Sequence, residues 1–225
     1  MKMKFCLPII RNSKNEVAVM IRENLNDFDL FEVWLDHIQD LDNQFITALM
    51  SLLKERLIIV LRRNNSEDTV MNFNRRCQVI KLLHNQPVML DLDIASQRKE
   101  LLFALQNKIT VSLIISYHNF RRTDSEQKLE RIINLMEGFR PKIYKIAAFC
   151  QNENDVVRLL SLLLQLKKSN RKCIVLGMGR NGIITRIFGS LWGNELIYAP
   201  KVLSQQSAEG QLTKATLENL FNFLE

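Results

Sequence analysis

The chain has 225 residues, 47% of them hydrophobic, a length and composition that suit one domain with a large core. No run of about 18 apolar residues occurs, and the apolar start is interrupted at Arg11 and Lys14, so neither a membrane span nor a secretory signal is expected and the reading is cytoplasmic. A net charge of +7 would suit nucleic acid, but the lysines and arginines are spread out instead of clustered with aromatics, and a small anionic substrate fits the same balance.

Strand-like apolar runs at 4–10, 29–36, 56–62, 87–94, 110–118, 141–149, 172–178 and 195–200 alternate with helical patterns at 14–23, 43–54, 67–83, 96–106, 125–137, 153–168, 182–192 and 213–224. Eight strands alternating with eight helices predict parallel strands joined by crossover helices. The first choice is an α/β fold of the (β/α)8 TIM-barrel type, a single domain over 1–225; a doubly wound open sheet is second. Cys6, Cys77, Cys150 and Cys173 are scattered and include no C-x-x-C pair, which argues against zinc and against a disulfide framework and makes them core residues.

Alternation assigns faces. In the second strand Phe31, Val33 and Leu35 face the helices, which turns Glu32 and Trp34 inward; the third leaves Ile58, Val60 and Arg62 inward, and the fourth Met89, Asp91 and Asp93. The fifth contributes Ile114, Ser116 and His118, the sixth Lys145, and the seventh Leu176 and Met178. Several of these polar groups lie near strand C-terminal ends, the rim on which a barrel of this kind builds its site.

Lys145 interrupts the apolar run Ile143-Tyr144-Lys145-Ile146-Ala147 and shares a strand face with apolar neighbours. A buried amine is usually paired or neutral, and a neutral amine attacks carbonyls. The plainer reading is a lysine that snorkels to solvent. His118 ends the neighbouring strand, about 4.8 Å away, and an amine beside an imidazole suits imine chemistry, in which the iminium acidifies an adjacent C–H and the histidine removes that proton. A hydrogen-bonded structural histidine is the alternative. After the seventh strand, Gly177 to Arg186 reads as a glycine-bearing loop running into a helix; Arg186 suits a bidentate pair with a carboxylate, or simple solvation. The polar loop Ser204 to Gln211 suits a lid over the rim that binds hydroxyls, or an ordinary solvated loop.

In this order, Ser116-Tyr117-His118-Asn119-Phe120, Tyr144-Lys145-Ile146-Ala147, Met178 with Gly182 to Arg186, and Ser207-Ala208-Glu209-Gly210-Gln211 resemble motifs of the type I 3-dehydroquinate dehydratases of the shikimate pathway. The family patterns are Ser-x-His-Asp-Phe, Pro-Lys-Ile-Ala, Met-x-x-x-Gly-x-x-Ser-Arg and Ser-Ala-Pro-Gly-Gln. The resemblance spans the chain and implies the barrel fold and a lyase that turns 3-dehydroquinate into 3-dehydroshikimate with no metal and no organic cofactor. It implies that Lys145 forms a Schiff base with the C3 ketone and that His118 takes the C2 proton and then protonates the leaving C1 hydroxyl. Arg186 would hold the carboxylate, Ser207 and Gln211 would bind substrate from the lid, Met178 would pack beside it, and Glu32 and Arg62 would fix its hydroxyls.

The sequence departs from the family at Trp34, where an arginine is usual, at Ser66, where a glutamate supports the base although Glu67 is adjacent, at Asp93, a shortened glutamate, at Leu176, a methionine, and at Glu209, a proline. A small-molecule substrate is thus expected, with no nucleic acid and no membrane partner, and a homodimer is compatible with this reading. Three rivals stand beside it: another lysine-dependent aldolase-like barrel, for which Trp34 would mark a reshaped pocket, a catalytically silent barrel kept as a binding protein, and a nucleic-acid-binding protein.

Overall fold

The computed structural model describes residues 3–61 and 71–224. Its strands are β1 (Phe5–Ile9), β2 (Leu30–Trp34), β3 (Leu57–Val60), β4 (Met89–Asp93), β5 (Ser112–Asn119), β6 (Ile143–Phe149), β7 (Cys173–Met178) and β8 (Ile197–Tyr198). They alternate with helices α1 (Lys14–Asn24), α2 (Asn43–Leu53), α3 (Phe73–Leu82), α4 (Arg98–Gln106), α5 (Glu126–Glu137), α6 (Glu153–Lys168), α7 (Gly179–Trp192) and α8 (Lys214–Leu224). The eight strands belong to one sheet in the order β7-β6-β5-β4-β3-β2-β1-β8, the (β/α)8 arrangement that the alternation predicts. None of the described helices is long and apolar enough to cross a membrane.

By contact density the chain divides into two compact units, Ile9–Ser116 with Leu135–Lys142, and Met1–Pro8 with Tyr117–Asn134 and Ile143–Glu225. In the first, α1, α2 and α3 begin where a short polar side chain takes a free backbone N–H. Ser13 and Glu16 form a capping box on α1, and Asp42 and Asn72 cap α2 and α3. Parallel register pairs Glu32 with Ile58, Trp34 with Val60, Val60 with Asp91 and Asp93 with Ser116. Paired residues of parallel strands share a face, so the polar positions read from alternation do line up. Arg76 of α3 and Glu100 of α4 are both buried and meet at 2.6 Å, a pair that leaves neither charge alone in the core.

In the second unit β6 pairs with β7, Lys145 opposite Ile174, Ala147 opposite Leu176 and Phe149 opposite Met178. β1 pairs with β8, Phe5 opposite Ile197 and Cys6 opposite Tyr198. The segment entering β8 reaches β7 through the Glu195 N–H, which donates to the Cys173 carbonyl at 3.0 Å. Asn194 takes the Val175 N–H and returns a bond to the Val175 carbonyl, which ties the end of α7 to the middle of β7.

One sequence expectation is corrected here. The pattern places the helix after the seventh strand at 182, behind a glycine-bearing loop; β7 ends at Met178 as the run 172–178 predicts, but α7 starts at Gly179 with no loop between. Glycine permits this. Gly179 has φ of +77°, and a Cβ on it would lie 2.7 Å from the Phe149 ring, while one on Gly182 would lie 2.7 Å from the Gly177 carbonyl oxygen. The helix can therefore lie against its own strand, and Arg186 sits about two turns into it.

Candidate active site

Lys145 lies in the middle of β6 with its side chain 5% exposed. Its Nζ donates to the Tyr198 hydroxyl at 3.0 Å and stands 4.3 Å from the centre of that ring. Both contacts offset the cost of burying an ammonium, one by a hydrogen bond and one through the π face. The lysine does not snorkel: it is held inside by a tyrosine on β8.

His118 stands near the end of β5, half-buried, with its ring stacked on Phe120 at 6.0 Å and 22° between planes. β5 and β6 are neighbours in the sheet order, so the imidazole and the amine come from adjacent strands. The residues flanking His118 are fastened to the following loop. Tyr117 donates its hydroxyl proton to Asp124, which also accepts from Asn119 at 2.9 Å and from Lys128 at 2.9 Å. Burial works against the Asp124 charge, but the bonds from Lys128, Tyr117 and Asn119 outweigh it and hold the carboxyl below its usual range. Burial, and then the bond to that carboxylate, push the Tyr117 phenol above its usual value.

Arg186 is a buried charge with unsatisfied donors. Its side chain is 4% exposed, and neither Nε nor Nη2 has a hydrogen-bond partner. Burial lowers its pKa to about 10. The helix around it is pinned, because Thr185 accepts from the Gly177 N–H at 2.6 Å and donates to the Gly182 carbonyl at 2.6 Å. The guanidinium is thus fixed by its backbone and unsatisfied at its tip, the state of a receptor for an anion.

Met178 closes β7 and is buried immediately before α7. The loop from Ser204 to Gln211 meets the same junction, since the Gly179 N–H donates to the Glu209 carbonyl at 3.3 Å. Gly210, with φ of +83°, passes so close that a Cβ would lie 2.6 Å from the Gly179 oxygen. Within the loop Gln211 is buried, accepts from the Ser207 N–H at 2.8 Å and donates to its hydroxyl at 2.9 Å. Ser207 and Gln211 therefore form one braced pair beside the start of α7.

In the other unit Glu32 is buried on β2 and accepts from Trp34 Nε1 at 3.0 Å, while Trp34 meets His37 edge-on at 5.7 Å. The indole thus engages the carboxylate two residues before it. Asp93 is committed locally: one carboxylate oxygen accepts from the Ala95 N–H and from the Ser96 N–H and hydroxyl, capping the turn after β4. Arg62, Ser66 and Glu67 lie outside the described residues. Among the described residues no cluster of three His, Cys, Asp or Glu side chains could hold a metal ion.

Sequence reasoning overlooked Tyr198. It sits in the apolar run Leu196-Ile197-Tyr198-Ala199, and the available signal was its hydroxyl, since a tyrosine within a core strand needs a hydrogen-bond partner there.

Comparison with known proteins identifies the family. A family model described as type I 3-dehydroquinase matches residues 5–225. The 3-dehydroquinate dehydratase of Alkaliphilus oremlandii is 29% identical over 98% of this chain and 91% of its own length, and that of Coxiella burnetii 26% identical over 97% and 92%. Among solved structures, the 3-dehydroquinate dehydratase of Geobacillus kaustophilus has a TM-score of 0.84 at 20% identity, over 100% of this chain and 91% of its own. The type I enzyme of Clostridium difficile, solved with covalently modified comenic acid, has a TM-score of 0.80 at 22% identity over 99% and 92%. With the family match running from β1 through α8, the chain belongs to the type I 3-dehydroquinase family and is an enzyme of the 3-dehydroquinate dehydratase kind, a carbon–oxygen lyase.

Proposed function

We propose that the chain dehydrates 3-dehydroquinate to 3-dehydroshikimate, a step of the shikimate pathway, through an imine on Lys145. The Arg186 guanidinium carries this reading: a buried cation with unsatisfied donors suits a substrate carboxylate, and it stands in the same unit as a buried amine and a half-buried imidazole. Lys145 adds to the C3 ketone and the carbinolamine loses water, which leaves a protonated imine. The positive nitrogen acidifies the C2–H bond, His118 accepts that proton, and an enamine results. The enamine expels the C1 hydroxyl, to which His118 returns the proton as water departs. Hydrolysis of the conjugated imine frees the product and restores the amine.

The Ser207–Gln211 pair presents a hydroxyl and an amide beside the Met178–Gly179 junction, in keeping with a lid that binds substrate, and Met178 supplies an apolar wall. Glu32 and Arg62 enter as hydroxyl ligands on the resemblance alone. The continuous family match supports one catalytic domain over both units, and the four buried free cysteines suit a reducing, cytoplasmic compartment.

The test is chemical trapping. Incubation with 3-dehydroquinate followed by borohydride is expected to add the reduced product mass to Lys145, and Lys145→Ala is expected to lose both the adduct and roughly 1,000-fold or more of kcat. A wild-type protein that turns over without any adduct on Lys145 would remove the mechanism. Appearance of the enone absorbance separates dehydration from aldol chemistry, which makes no enone.

A further inference from the structure

We infer that Tyr198 is a catalytic residue: its hydroxyl oxygen receives the single N–H that Lys145 retains once the imine has formed, and so fixes and stabilises the charged intermediate. This rests on the imine reading above and adds to it a group that carries the electron sink. When a lysine ammonium condenses with a ketone, two of its three nitrogen protons leave in the water formed, and the iminium nitrogen keeps one. That remaining N–H has a fixed direction, in the plane of the C=N bond, and carries much of the positive charge. Buried without an acceptor, it would cost more than a neutral donor does.

The acceptor is already in place. Tyr198 Oη lies 3.0 Å from Lys145 Nζ, and the ring centre lies 4.3 Å from it, so the nitrogen stands against the hydroxyl oxygen, past the edge of the ring. The tyrosine is itself 5% exposed and belongs to β8, whose register with β1 sets Tyr198 opposite Cys6. Its position is therefore fixed by the sheet and not by a surface rotamer. An uncharged oxygen that can accept favours the iminium over the neutral imine and leaves the charge on nitrogen to acidify the neighbouring C–H. A carboxylate at this place would do more than hold the charge: it would compete for the proton. A phenol accepts without taking it.

A purely structural tyrosine would also satisfy its hydroxyl with the nearest donor, so the experiment must read the intermediate. Tyr198→Phe keeps the ring and removes only the oxygen. With 3-dehydroquinate it is expected to lower kcat about tenfold, to leave KM within about twofold, and to lower the steady-state fraction of protein trapped on Lys145 by borohydride, read by intact mass. Its melting temperature is expected to stay within a few degrees of wild type. Equal adduct fractions in the two proteins overturn the role of Tyr198, whether or not kcat falls, and so does a variant that fails to fold. Absence of an adduct in both proteins overturns the imine reading itself.

Discussion

Arg186 shows most plainly how a side chain can be placed against the interest of stability. Holding a guanidinium 4% exposed with Nε and Nη2 unbonded costs several kcal/mol, and its pKa of about 10 records that cost. Because the folded value lies below the unfolded one, the penalty is fully present below about pH 10 and eases only as alkali removes the proton. Arg186→Met is therefore expected to raise the melting temperature, by a few degrees for about 1–2 kcal/mol regained, while costing about 2–5 kcal/mol of substrate interaction, read as a drop in kcat/KM carried mainly by KM. Thermal melts paired with steady-state kinetics check this. A variant that melts lower and keeps its KM would show the arginine to be structural. The identity of this residue was legible in the sequence, but its lack of partners was not, since a helix arginine two turns from an N-terminus is equally at home in water. The same holds for Lys145, which donates to a tyrosine 53 residues further along the chain.

At the scale of elements, the β7–α7 junction decides where Met178, Arg186 and the Ser207–Gln211 loop stand. Three glycines make it. Gly177 and Gly182 let strand and helix backbones touch, and Gly179 turns the chain at positive φ beneath the Phe149 ring and the returning Gly210. Gly182→Ala would gain about 1 kcal/mol of helix propensity, yet its methyl would press on the Gly177 backbone, which cannot swing aside as a side chain can. A net loss of about 1–3 kcal/mol is expected, seen as a lower urea midpoint, together with weaker substrate binding as Arg186 shifts. Unchanged stability would mean that the helix can slide outward at no cost. Sequence reasoning took these glycines for a loop because glycine spacing alone does not distinguish a flexible turn from a close backbone approach. That distinction lives in contacts between residues of different elements.

For the whole molecule, β-strands and helices alternate down the chain, and the apolar positions that alternation assigned to the helix-facing side of the second strand, Phe31, Val33 and Leu35, are all buried. The four cysteines share that core as free thiols, and burial pushes Cys173 up to about 12. Native protein is thus expected to react only slowly with a thiol reagent such as dithionitrobenzoate, and denatured protein to yield all four thiols. Rapid release from native protein would contradict this packing. The sequence by itself determined the order of elements and the faces of the strands, because a period of 2 or 3.6 is a property of local backbone geometry. It also offered an amine, an imidazole and a guanidinium as candidates, because chemistry resides in residue type. Only the tertiary structure decided that Lys145 meets Tyr198, that Arg186 is left unsatisfied and that α7 begins without a loop. Each of those depends on which distant segments touch, and burial is a property of the assembled neighbours, not of the residue.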